Sequence, residues 1–352
     1  MRFSNLLSRA GRAAGLALLL LASLPACSTP VFTYGLLNWP PDQHPLTVLH
    51  HGPLSPAESA LVDQLRRAGA SPDRAGGYLR ANIVVNLIDI DDQAALSEAS
   101  PVVRGLAGKG AGTQVIAQFS HALGRDPPVW WSSPLTADAV ERILDSPTRR
   151  AVTRHLLSNA TGAWIFLRSG DLAADRAAEN ILREQLAALG KQIELPAFDP
   201  SDEKAWRYEK LPPARVDFQV FAIASDDPAE QGLVRQLTQF DPSFANLAGP
   251  KAFAVFGQGR YIPLAGSELS ARGIADLVGF LVGSCSCEIK DQNPGIDLMT
   301  TTDWTAYRFL SAEPAKVAAG VVPAPGLAGW ALLAAVLVGA GAAFTRNRMS
   351  RS

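Results

Sequence analysis

Pro250-Lys-Ala-Phe-Ala-Val-Phe-Gly-Gln-Gly-Arg-Tyr-Ile-Pro-Leu-Ala-Gly266 reads as a β-hairpin. Ala252–Phe256 and Arg260–Leu264 are short apolar, aromatic runs, and Gly257-Gln258-Gly259 supplies the turn between them. Downstream, Ser270 caps a helix that presents Ile274, Leu277, Val278 and Leu281 at helical spacing. Upstream, Ala163–Leu167 is a strand, and Ala174–Leu189 is a helix with Ala178, Ile181, Leu182, Leu186 and Leu189 on one face, stopped by Gly190. Val216–Ala222 is a further strand and Pro228–Gln239 a helix. The half around the hairpin therefore reads strand, helix, strand, helix, hairpin, helix.

The preceding half repeats that order. Thr47–His50 is a short strand, and Ser55-Pro56-Ala57-Glu58 is a capping box with proline at the first helical position. Ala57, Ala60, Leu61, Leu65 and Ala68 keep helical spacing up to Gly69, and Asn82–Ile88 is a β-branched strand. Gln114–Phe119 and Val129–Trp131 make a second hairpin, after which Thr136 caps a helix with Ala139, Val140, Ile143 and Leu144 on its apolar face. Ser133-Pro-Leu-Thr-Ala137 and Ser267-Glu-Leu-Ser-Ala271 echo each other before the two closing helices, as an internal duplication would leave them.

This βαβ-ββα order resembles the thioredoxin-like superfamily. The resemblance implies an α/β protein of two tandem domains, at 45–147 and at 160–284, the second carrying the proline-rich insertion 196–213. It also implies that Pro250 is the family's cis-proline. His50-His51-Gly52-Pro53-Leu54 follows the first strand, where thioredoxins carry Trp-Cys-Gly-Pro-Cys. Gly52-Pro53 matches, but His51 and Leu54 replace both thiols, and without a thiolate there is no exchange at that place.

The ends of the chain set its address. Arg2, Arg9 and Arg12 precede the apolar run Ala13–Leu24, so residues 1–27 read as an export signal. Leu24-Pro25-Ala26-Cys27 resembles a lipobox and makes Cys27 a lipidation candidate; plain cleavage, or retention of Ala13–Leu24 as an uncleaved anchor, is the alternative. Gly326–Phe344 carries no charge over 19 residues, enough at about 1.5 Å per residue to cross a bilayer core. Arg346, Arg348 and Arg351 follow it, which puts the tail 345–352 in the cytoplasm and the body in the periplasm or outside the cell. Val322-Pro-Ala-Pro-Gly326 before the run also resembles a PEP-CTERM sorting tail.

The net charge of −1 provides no footprint for nucleic acid. Beyond Cys27 the chain has two cysteines, Cys285 and Cys287, in a segment 285–322 that reads as a linker. They form either a structural crosslink, a strained and reducible pair, or a soft site for Cu(I) or zinc. Zinc would need two further ligands, which the distant histidines do not offer in sequence, so no metal site and no cofactor is assigned. Asp89-Ile-Asp91, Ser120 and Gly170-Asp171-Leu-Ala-Ala-Asp175 resemble, in that order, the haloacid-dehalogenase-type phosphatases, which implies Asp89 and Asp91 beside Ser120, with Asp171 and Asp175 holding Mg²⁺. The same acids are also what any α/β fold places at strand ends. The expectation is a non-catalytic binding or assembly module at the membrane, whose partner is another membrane or periplasmic protein. A thiol-redox or copper-handling protein and a phosphatase are the alternatives.

Overall fold

A computed structural model describes residues 29–69, 81–110, 112–195, 211, 213–284 and 289–304. After α1 (Val31–Asn38), the first sheet is built from β1 (His44–His50), α2 (Pro56–Gly69) and β2 (Ile83–Asp89). The short helices α3 (Gln93–Glu98) and α4 (Pro101–Leu106) lead to β3 (Gln114–Gln118), β4 (Val129–Pro134) and α5 (Ala137–Leu144). Strand order is β2-β1-β3-β4, with β1 and β2 parallel and the other neighbours antiparallel. The capping box forms: Ser55 N and Oγ donate to the Glu58 carboxylate at 2.8 and 2.7 Å, and Glu58 N donates to Ser55 Oγ at 3.3 Å. Thr136 Oγ1 accepts from Ala139 N and starts α5 in the same manner.

The second sheet follows α6 (Pro147–Leu157). It comprises β5 (Ala160–Arg168), α7 (Leu172–Gln192), β6 (Arg215–Ala224), α8 (Gln231–Thr238), α9 (Pro242–Ala245), β7 (Lys251–Phe256), β8 (Arg260–Ala265), α10 (Ala271–Val282) and β9 (Ile296–Asp297). Its order is β6-β5-β7-β8-β9, with β5 and β6 parallel and the others antiparallel. Strand β5 is buried on both faces. Trp164 and Phe166 pack with α1, α7 and α10, while Ala163, Ile165 and Leu167 pack with α6 and α8. That explains its continuous apolar sequence, since neither face meets water. Register places Arg168, Lys251 and Ala265 at one end of this sheet, the loop end, and Ala160, Phe256 and Arg260 at the other, the turn end.

Four features depart from the sequence reading. Val31–Leu36, next to the leader, forms a helix buried on every side. The stretch before 160 is helix α6, packed on β5 through Val152 and Leu156. Residues 289–304, read as linker, add the fifth strand and bury Leu298, Met299 and Trp304. The expected cis bond at Pro250 is absent, for no peptide bond among the described residues is cis; Gly249, at φ +85°, takes up the reversal before β7. Among the described residues no helix is long and apolar enough to cross a membrane. Residues 1–27, most of the insertion 196–213, the run 326–344 and the tail 345–352 lie outside the described residues.

Candidate functional site

In the first sheet, β1 and β2 end together, His50 opposite Asp89. Asp89 Oδ1 accepts from Gly52 N at 3.2 Å and from Asp91 N at 3.1 Å, and these bonds, the one from Asp91 foremost, hold its carboxyl below the usual range. Gly52 sits at φ +55°, a backbone state that glycine adopts without strain. His50 Nδ1 meets Gly52 O at 2.8 Å, and His51 Nδ1 meets Asp91 Oδ1 at 3.2 Å in an exposed pair. The adjacent histidines thus serve different partners. Glu58 is pulled down to about 2 by hydrogen bonds from Thr113 and Ser55.

The loop end of the second sheet is built the same way. Asp171 caps α7 by accepting from Ala173 N and Ala174 N at 3.0 and 3.1 Å. Asp175, buried, accepts from Ser169 N and Oγ at 2.8 and 2.7 Å and from Gly170 N at 3.0 Å. Burial pushes its carboxyl up, but the bonds from Ser169 and Gly170 outweigh that and hold it low. Two large apolar side chains are exposed near this end, Leu172 at 77% and Leu247 at 46%. Lys251, at the start of β7, donates to Leu247 O at 2.6 Å over the Phe244 ring.

The phosphatase constellation is not assembled. Asp89 and Asp91 lie where β2 ends, whereas β3 runs antiparallel to β1 and delivers Ser120 to the far end of the sheet, beside His44. There Ser120 Oγ donates to Asp42 Oδ2 at 3.5 Å. Asp171 and Asp175 belong to the other sheet. Among the described residues no three metal-binding side chains converge. Cys27, Cys285 and Cys287 lie outside the described residues, but the chain beside them is described: Pro30 and Ser284 form an antiparallel bridge.

A buried polar seam that the sequence did not announce joins the two halves through residues 289–304. Asp297 Oδ1 pairs with Arg260 Nη1 at 3.0 Å, and its Oδ2 accepts from Asp42 N at 2.7 Å and from Lys290 Nζ. Lys290 Nζ also reaches Asp42 Oδ1 and Pro40 O, each at 2.7 Å. Asn82 Nδ2 donates to Asp42 O at 2.7 Å and to Leu298 O at 3.0 Å, while its Oδ1 accepts from Thr300 N at 2.7 Å. His44, fully buried, has Nδ1 at 3.2 Å from Gln118 O and Nε2 at 3.1 Å from Asp297 O. Burial pushes its pKa down to about 4 against the opposing pull of those carbonyls, so the ring is neutral and donates to only one of them. Arg149, also buried, donates to Met299 O at 3.0 Å and to the carbonyls of Arg142, Ile143 and Asp145 at the end of α5. Glu230 accepts from Ser146 Oγ and from Thr148 N and starts α6.

Taken together, fold and sites define a mixed α/β protein of two sheets locked by a polar seam. Compared with protein-family models and with curated proteins, the chain matches none.

Proposed function

We propose that this chain is a tandem thioredoxin-like protein that works by binding rather than catalysis. It is anchored at the membrane with its body in the periplasm or outside the cell. The observation that carries the reading is the use of the acids around the loop ends: Asp89, Asp171 and Asp175 accept hydrogen bonds from backbone amides. Asp89 and Asp175, whose carboxyls these bonds also hold below the ordinary range, are thereby poor bases and nucleophiles. Support for the fold assignment comes from strand order, since β2-β1-β3-β4 recurs as β6-β5-β7-β8 with one parallel pair in each. Leu172 and Leu247 offer apolar contact area to a protein partner.

A photo-crosslinking residue placed at Leu172 in the full chain, in its native membranes, tests this. One discrete protein adduct is expected, and it should persist in the Cys285→Ser, Cys287→Ser double variant. No adduct at Leu172, alongside a discrete adduct from a probe at the exposed Ile181, would move the binding surface elsewhere.

A further inference from the structure

Both ends of the described chain arrive at one end of the second sheet. Val31 N donates to Gly283 O at 3.0 Å beside the Pro30–Ser284 bridge, and Thr33 Oγ1 donates to Asn159 Oδ1 at 3.1 Å, just before β5. Gln258 Nε2 donates to Leu36 O at 2.8 Å, and α1 lies so close to the β7–β8 turn that a Cβ on Gly257 would meet the Gly35 carbonyl carbon at 3.0 Å. Trp304, the last described residue, sits at that same turn, where a Cβ on Gly259 would lie 3.3 Å from its ring. All of these contacts are at the turn end. Leu172 and the start of α10 are at the loop end, separated from it by the nine residues of β5, roughly 25 Å at about 3.3 Å per residue.

Chain length then decides what the turn end faces. Three residues separate Pro30 from Cys27 and six separate it from Leu24. At no more than about 3.6 Å per residue, a lipid on Cys27 would hold Pro30 within roughly 11 Å of the bilayer, and a retained Ala13–Leu24 anchor within roughly 22 Å. Both tethers are shorter than the sheet is long. The other tether, 22 residues from Trp304 to Gly326, reaches up to roughly 75 Å and accommodates the same arrangement without imposing it.

We propose that the turn end of the second sheet, formed by α1, the Pro30–Ser284 bridge and the β7–β8 turn, is apposed to the lipid bilayer. The loop end with Leu172 and Leu247 is directed away from it. This orientation rests on the membrane-anchored reading with an anchor at the N-terminus, a lipid on Cys27 or a retained Ala13–Leu24, and adds to it the face that meets lipid. It also turns the exposed leucines toward a partner rather than into the membrane.

The test uses the full chain reconstituted in phosphatidylethanolamine–phosphatidylglycerol vesicles that carry an energy acceptor on the headgroups. A fluorescent amino acid is placed at Ser284 or Ala214, exposed at the turn end, or at Leu172 or Arg272, exposed at the loop end. Transfer at Ser284 and Ala214 is expected to exceed that at Leu172 and Arg272 at least threefold. Equal or reversed transfer in protein that floats with the vesicles overturns the orientation alone. Protein that does not float with the vesicles overturns the anchoring reading, and the orientation with it.

Discussion

Asp297→Asn changes almost nothing in shape and removes the charge on which the seam converges. In the native chain this carboxylate faces two cations, Arg260 and Lys290, whose side chains are 8% and 13% exposed. After the change Lys290 keeps the Asp42 carboxylate, but Arg260 faces no carboxylate and is left with neutral acceptors, the carbonyls of Pro294 and Asn293 among them. Breaking one side of a buried ion pair costs about 3–5 kcal/mol, because the remaining charge stays desolvated and unpaired. That is a large part of the roughly 5–15 kcal/mol that holds a folded protein together. At about 2–4 °C per kcal/mol for a body of this size, the melting temperature should fall by roughly 10 °C. Urea unfolding of the full chain in detergent, followed by tryptophan fluorescence, measures it directly, since Trp304 packs beside the seam. The native chain is expected to unfold in one transition, and the variant in one that comes earlier. A loss below about 1 kcal/mol would show that the pair is worth no more than an exposed one, and that residues 289–304 do not hold the halves together.

Two further outcomes follow from the same structure. His44 has a folded pKa near 4 against an ordinary 6.5, so the unfolded chain binds its proton first; stability is complete above pH 6.5 and falls as pH drops toward 4, by about 3 kcal/mol, and a His44→Gln variant should show a flatter urea-midpoint profile over that window. Gln236 is fully buried with neither side-chain amide atom hydrogen-bonded, so Gln236→Met should raise stability by about 1 kcal/mol in the same assay.

Local signals carried far into this fold, and they stopped where side chains from distant segments meet. Ser55 and Glu58 marked the start of α2 because a capping box is chemistry within four residues. Gly257 and Gly259 marked the β7–β8 turn because both adopt positive φ. Helix α1 left no such trace: Val31–Leu36 is buried all round, so it has no stripe of 3.6-residue period, and it abuts the apolar leader. Strand β9 is two residues long, too short for any alternation to register. The seam was invisible for a different reason. Asp42 and Asp297 are 255 residues apart, and Asn82 and Thr300 are 218 apart, each a lone polar residue in its own segment. Asp89, Asp91 and Ser120 follow one another in sequence but do not meet in space, because periodicity does not encode strand direction; once β3 runs antiparallel to β1, they fall at two ends of a sheet.

The claim that the protein binds rather than catalyses is tested most directly at its cysteines. Purified full chain is offered an insulin disulfide with dithiothreitol as the electron source, beside the Cys285→Ser, Cys287→Ser double variant. The account predicts that native chain and variant leave the uncatalysed rate of insulin reduction unchanged. Faster reduction by the native chain, lost in the double variant, would contradict it and make Cys285 and Cys287 the working site.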